Sequence, residues 1–167
     1  MEEIFDVVDG RDRVIGQKAR SEVHRLGLKH RSVHVLIFNA RGELFLQKRS
    51  AFKDTFPGAW DSSCSGHLQP GEAYDQGAIR ELKEELGLTP DKPLERLFKV
   101  DACAETGQEF VWVYRGFAEG PFEMPPEEIE KGEWFALKRL ERRLAERPGE
   151  FAAALPLIFA LYKKTNP

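Results

Sequence analysis

Glu84 and Glu85 follow Glu81 by three and four residues in Arg80-Glu81-Leu82-Lys83-Glu84-Glu85-Leu86, a run with helical periodicity. At about 100° per residue, they fall about 60° to one side and about 40° to the other of Glu81, so the carboxylates share one helix face. Each like-charge pair of this kind costs on the order of 0.2–0.5 kcal/mol on an isolated helix, which opposes folding unless a cation is near. A hard divalent cation meets that need, because magnesium is usually held by a few carboxylates together with waters and substrate phosphates. There it neutralises phosphate charge, orients the substrate and makes hydroxide available near neutral pH. The chemistry this spacing suggests is hydrolysis of a phosphoanhydride, although the triplet alone reads equally well as a solvated acidic face.

The flanking residues change the weighing. Glu72 and Arg80 are placed to pair and pin the preceding loop to the helix, while Gly66 and Gly71 give that loop conformations closed to residues with a Cβ. A loop, a helix and an acidic cluster are thus specified together. The segment from Gly66 to Leu88 satisfies every fixed position of G-x5-E-x7-R-E-U-x-E-E-x-G-U, with U aliphatic, and so resembles the Nudix box. That resemblance implies an α+β fold, an α/β/α sandwich around a mixed β-sheet, and hydrolysis of a nucleoside diphosphate linked to another group. It implies Glu81, Glu84 and Glu85 as ligands of Mg2+ or Mn2+, one of them serving as base, with the Gly66 carbonyl in the same shell and Glu72 and Arg80 as supports. Gly77 inside the helix costs roughly 1 kcal/mol relative to alanine and has no functional account in the sequence.

The likeness extends beyond the box. Phe5-Asp6-Val7-Val8-Asp9, Arg20-Ser21-Glu22-Val23-His24, Lys29-His30-Arg31, Gln47-Lys48-Arg49-Ser50, Pro57-Gly58-Ala59-Trp60 and Ser65-Gly66-His67 resemble the Nudix branch related to type I isopentenyl diphosphate isomerases. By that resemblance His24, His30, His67 and Glu109 correspond to a second, transition-metal site, although another carboxylate of the isomerase site falls near Gly107 here. Glu109 has an independent claim, since a carboxylate beside Phe110-Val111-Trp112 on a core strand is costly to bury unpaired. The isomerases also need a cysteine immediately before the Gly-His pair. This chain has Ser65 there and Cys64 one residue earlier, and a hydroxyl is a far weaker acid than a thiol. The intact acidic cluster favours hydrolysis; an isomerase-like enzyme and a non-catalytic nucleotide sensor are the alternatives.

Lys48, Arg49 and Lys53 place three cations in a short region suited to gripping phosphate oxygens. A solubilising basic surface is the equal alternative, although the isomerase resemblance assigns Arg49 and Lys53 to diphosphate binding. Trp60, Phe52 and Phe56 are read as core fillers before base-stacking residues.

The elements that must position these groups follow from periodicity and turn residues. Glu3–Val8 and Val14–Gly16 read as an edge hairpin, and Val33–Phe38 with Glu43–Gln47 as a second hairpin across Asn39-Ala40-Arg41-Gly42. Ala73–Leu86 reads as a helix with Ala78, Ile79, Leu82 and Leu86 on its inner face, stopped by Gly87. Strands are expected at 94–100, 109–117 and 133–135, and helices at 138–146 and 151–163, with Pro156 kinking or restarting the last. This order lacks regular βαβ alternation, so a mixed sheet is favoured over a doubly wound parallel one.

A chain of 167 residues, 41% hydrophobic and 32% charged, fits a single domain over residues 1–167 with the box at 66–88. No stretch approaches the roughly 18–20 apolar residues of a membrane span. The acidic N-terminus differs from a secretory signal, and two cysteines are too few for a disulfide scaffold, so cytoplasmic residence is expected. A net charge of −3 gives no broad positive field for long nucleic acids. The expected partner is a small diphosphate substrate, with a homodimer left open.

Overall fold

A computed structural model describes all residues, Met1–Pro167. Strands β1 (Ile4–Val8) and β2 (Val14–Ala19) form the expected two-stranded antiparallel sheet, followed by a short helix α1 (Arg20–Leu26). The principal sheet is built on β3 (His30–Phe38), which runs parallel to β8 (Glu109–Phe117) from His30↔Glu109 to Phe38↔Phe117. On its other side β3 pairs antiparallel with β6 (Cys64–His67), while it meets β4 (Leu44–Arg49) only at Phe38↔Leu44. Beyond that single pair, β4 continues with β5 (Trp60–Asp61) and β9 (Ile129–Phe135), and β7 (Glu95–Val100) flanks β8. The sheet therefore splits between β6 and β4.

Helix α2 (Tyr74–Leu86) covers one face of this mixed sheet, packing Ala78, Leu82 and Leu86 against Val33, Val35 and Ile37 of β3. Helices α3 (Leu137–Glu146) and α4 (Ala154–Thr165) cover the other, where Leu140, Leu155 and Ile158 meet Leu36 and Phe38. Alternate residues of one strand thus enter opposite cores, as a period of two requires. The result is the α/β/α sandwich expected from the sequence.

Several boundaries differ for identifiable reasons. Ile79 is 40% exposed, so the inner face of α2 is narrower than its apolar pattern suggested. Strand β9 begins at Ile129 because its ladder with β4 extends to Arg49. Pro156 lies in the first turn of α4, where a missing N–H breaks no helical bond, and so does not kink it. Helix α2 ends as read: Gly87 adopts φ 62° and its N–H donates to Lys83 O at 3.1 Å.

Candidate active site

Glu81, Glu84 and Glu85 all line one cleft of about 830 Å³ at the split in the sheet. Arg80 ties two of them to the preceding loop. Its Nε and Nη2 donate to the two oxygens of Glu72 at 2.8 and 2.9 Å, and Nη2 also donates to His67 O at 3.0 Å. Its Nη1 donates to Glu81 Oε1 at 2.8 Å and to the exposed Glu84 Oε2 at 3.1 Å. A protein cation therefore already compensates part of the crowding that the sequence predicted.

Glu81 is buried, and desolvation, reinforced by the charge of Glu85, pushes its carboxyl up to about 8. Glu85 accepts from Gln47 Nε2 and from the Ser65 N–H, each at 3.0 Å. Burial outweighs those bonds and pushes its carboxyl up to about 7. These groups are costly to hold charged without a further cation. The loop glycines act differently from expectation. Gly71 does use a left-handed φ of 74°, but a Cβ on Gly66 would stand 2.1 Å from Glu81 Cδ, so Gly66 is required by close approach. Gly77 likewise brings α2 within contact of Leu68 and Glu72, since a Cβ there would lie 3.2 Å from Leu68 Cδ1 and Glu72 Oε2.

A second cluster forms on the same cleft from four elements. His24 comes from α1, His30 from β3, His67 from β6 and Glu109 from β8, and one donor atom from each lies within 4.8 Å of all the others. Glu109 Oε1 is 2.9 Å from His67 Nε2 and 3.4 Å from His30 Nε2. Burial alone would raise the Glu109 carboxyl, but the charge of His67 and the contacts with both imidazoles hold it well below the usual range. Burial, with His67 and His30 close by, lowers His24. His30 Nδ1 contacts Leu28 O at 2.9 Å, whereas its buried Nε2 has no hydrogen-bond partner. The Phe5 ring stacks on His30 at 5.4 Å and lies 4.5 Å from His67, closing the cluster on the side of β1.

The basic residues separate. Arg49 and Lys53 line the cleft, with Arg49 donating to Thr55 O at 2.9 Å and to Asp61 Oδ2 at 3.3 Å, and Lys53 paired with Glu128. Lys48, between Gln47 and Arg49 on β4, pairs with Glu130 at 3.2 Å and does not line the cleft. Strand alternation turns it away from the phosphate-binding position the sequence suggested. Arg20 is a third cation of the cleft, held by Glu3 and Asp54, each at 3.0 Å. Trp60 is buried core against Phe135, but Phe52 and Phe56 are exposed, contrary to their reading as core. Ser65 lines the cleft, while Cys64 is fully buried and its thiol is pushed up by that burial.

Sequence reasoning missed Gln47, His34 and Ser32, which also line the cleft. His34 Nδ1 lies 2.7 Å from Ser62 Oγ, and burial lowers its pKa. The available signal was the alternation His30, Ser32, His34 at the start of an otherwise apolar strand.

Helix α2 thus sets three carboxylates on the wall of a cleft at the split of a mixed sheet. Residues 28–155 match the NUDIX domain family, and the chain belongs to that family of hydrolases acting on diphosphate bonds. It is 32% identical over 154 residues to an isopentenyl-diphosphate Delta-isomerase of Serratia proteamaculans, covering 90% of this chain and 86% of that protein. A Nudix hydrolase of Streptomyces coelicolor is 36% identical over 148 residues, 87% of this chain and 81% of the relative. The crystal structure of a Deinococcus radiodurans Nudix protein superposes with a TM-score of 0.82 at 31% identity, covering 99% of this chain and 100% of the other.

Proposed function

We propose that this protein is a magnesium-dependent pyrophosphohydrolase that cleaves the phosphoanhydride bond of a small diphosphate, such as a nucleoside diphosphate joined to another group. Manganese is the alternative metal. The observation that carries the reading is the presence of Glu81, Glu84 and Glu85 on the wall of a cleft that also holds Arg49 and Lys53. The donor set is all oxygen, which suits a hard cation, and burial makes Glu81 and Glu85 costly to hold charged without one. In this reading Glu81, Glu84, Glu85 and the Gly66 carbonyl hold the cation, which supplies neutralisation of phosphate charge and acidification of a water. Arg49 and Lys53 exchange their present partners for phosphate oxygens, one glutamate takes the proton of the attacking water, and Glu72 with Arg80 fixes the loop against α2. The free cysteines and the absence of any helix long and apolar enough to cross a membrane agree with action in the cytoplasm.

The test is turnover of a broad panel of nucleoside diphosphate derivatives with Mg2+ or Mn2+. Binding without turnover across the panel would replace this reading with that of a sensor. A specific observation supports a second ion: the buried His30 Nε2, whose nearest polar contact is Glu109 Oε1 at 3.4 Å, faces two further imidazoles and that carboxylate, a donor set that suits zinc, manganese or iron. In that reading Glu109 belongs to the chemistry of the site as well as to its metal. The isomerase alternative lacks a thiol at the cleft, since Ser65 stands there and Cys64 is buried. Incubation with isopentenyl diphosphate in deuterated water is expected to give no deuterated allylic product; its appearance would reverse the ranking.

A further inference from the structure

His34 sits at the middle of β3, 5% exposed and yet part of the cleft wall. Its Nδ1 lies 2.7 Å from Ser62 Oγ, and Ser62 is wholly buried with no other partner for its hydroxyl. The hydrogens of this pair can be placed in two ways. If the ring donated, the serine hydrogen would be shut in the interior without an acceptor, which buried polar groups ordinarily avoid. If the serine donates to Nδ1, each buried hydrogen is used and the ring proton falls to Nε2. Burial lowers the pKa of His34 from the ordinary 6.5, so near neutral pH the ring is uncharged. Its Nε2 has no hydrogen-bond partner and is still not sealed from solvent, so it opens on the cleft. The floor of the site therefore presents a neutral N–H donor. Through its strand pairing His34 stands opposite Ser65, whose N–H holds Glu85. Through Ser62 it is joined to Asp61, which accepts from the Ser62 N–H at 2.8 Å and from Arg49 at 3.3 Å.

We propose that His34 is a further substrate-binding residue, whose Nε2–H donates to a phosphate oxygen of the diphosphate. The inference rests on the diphosphate-cleaving reading of the cleft. A protonated ring nitrogen has no lone pair left for a cation or for the hydrogen of an alcohol, so its occupant is an acceptor. The acceptor that the neighbouring groups favour is a phosphate oxygen, since Arg49 and Lys53 line the same cleft and draw an anion towards the floor. A charged imidazolium there would be attracted to Asp61 and Glu109, whose negative charges lie close enough to act on the ring. The neutral ring escapes that competition. Ser62 holds it in one orientation, and a donor fixed in advance costs no reorganisation when charge on the phosphate grows.

Nitrogen NMR of histidine-labelled protein reads the ring directly. Near neutral pH His34 should show a protonated Nε2 and a bare Nδ1; the opposite tautomer would overturn the proposal. Saturation with Mg2+ and methylenediphosphonate, a diphosphate mimic whose bridge resists hydrolysis, should move the Nε2 proton downfield, and a resonance that stays in place would overturn it as well. Calorimetry with the same probe compares two variants. His34→Leu should weaken binding about tenfold, the scale of one hydrogen bond, whereas His34→Gln, which keeps a neutral N–H donor at that reach, should lose no more than about threefold. Equal losses in both would leave the ring with a packing role only, and failure of the wild type to bind the probe would also defeat the assignment. The two NMR readings need no substitution and stand even where His34→Leu does not fold. Turnover is read separately: the shift and the loss in His34→Leu, without hydrolysis of any nucleoside diphosphate derivative, would sink the hydrolytic reading and leave the donor standing.

Discussion

The two ionisable clusters of the cleft are assembled in opposite ways. Glu81, Glu84 and Glu85 come from little more than one turn of α2, so their crowding is a local property of the chain. His24, His30, His67 and Glu109 come from four elements and meet only because β3 pairs with both β6 and β8 in a fixed register. Their charge differs too. The first cluster gathers three carboxylates against one arginine, whereas the second sets a single carboxylate among imidazoles that can stabilise it without any ion. Arg80 compensates the carboxylate cluster only in part, whereas the imidazole cluster compensates its carboxylate from within.

The sharpest way to break this comparison is to neutralise the helix. Glu84→Gln or Glu85→Gln should lower the Mg2+-dependent rate by about two to three orders of magnitude, the scale on which loss of one electrostatic stabiliser acts. A rate within tenfold of wild type would remove α2 from the chemistry. His67→Gln addresses the other cluster, and equilibrium dialysis against Zn2+ should show affinity reduced by about 100-fold or more, since even a change to a ligand's partner costs about 10–100-fold. Identical zinc retention in wild type and variant would reduce the histidines to a structural network.

A third change separates packing from charge. Gly66→Ala should destabilise the protein by about 1–3 kcal/mol in urea melts, because its methyl would overlap the Glu81 carboxyl. An unchanged midpoint would mean that Glu81 relocates freely. The smallest effect concerns the hairpin that holds Phe5 over the histidines. Asp12, near its turn, accepts from Arg31 at 2.6 Å, Lys99 at 2.6 Å and Tyr74 at 2.8 Å. Burial raises its carboxyl, but these donors outweigh burial and leave it below its ordinary 3.8. Its stabilising contribution is therefore full above that value and lost as the pH falls through the lowered one. Asp12→Asn should cost about 1–2 kcal/mol at neutral pH and progressively less in acid; a pH-independent deficit in denaturant melts would assign the loss to shape and not to charge.

Legibility in the sequence followed locality. Helix α2, its stop at Gly87 and the shared face of its glutamates are readable because helix spacing is a property of adjacent residues. Helix α1 escaped notice because it has seven residues and buries only Val23. Strands β5 and β6 were hidden in a polar loop, since two residues and the four residues Cys64–His67 are too short for a period of two to declare itself. The turning away of Lys48 required knowing where β4 begins. The grouping of Glu109 with His30 could be proposed only by resemblance, because no spacing in the chain encodes a parallel register across 79 residues.

Strand β3 has a consequence for how the molecule breathes. Its first half supplies the floor of the cleft and its second half the centre of a core, with backbone bonds to neighbours on both sides. Opening the floor means breaking the ladder that carries Leu36 and Phe38, so the amides of His34 and Val35 should exchange with solvent only through global unfolding. Their exchange rates would then report overall stability directly, while those of the rim around Phe52 should vary independently of it.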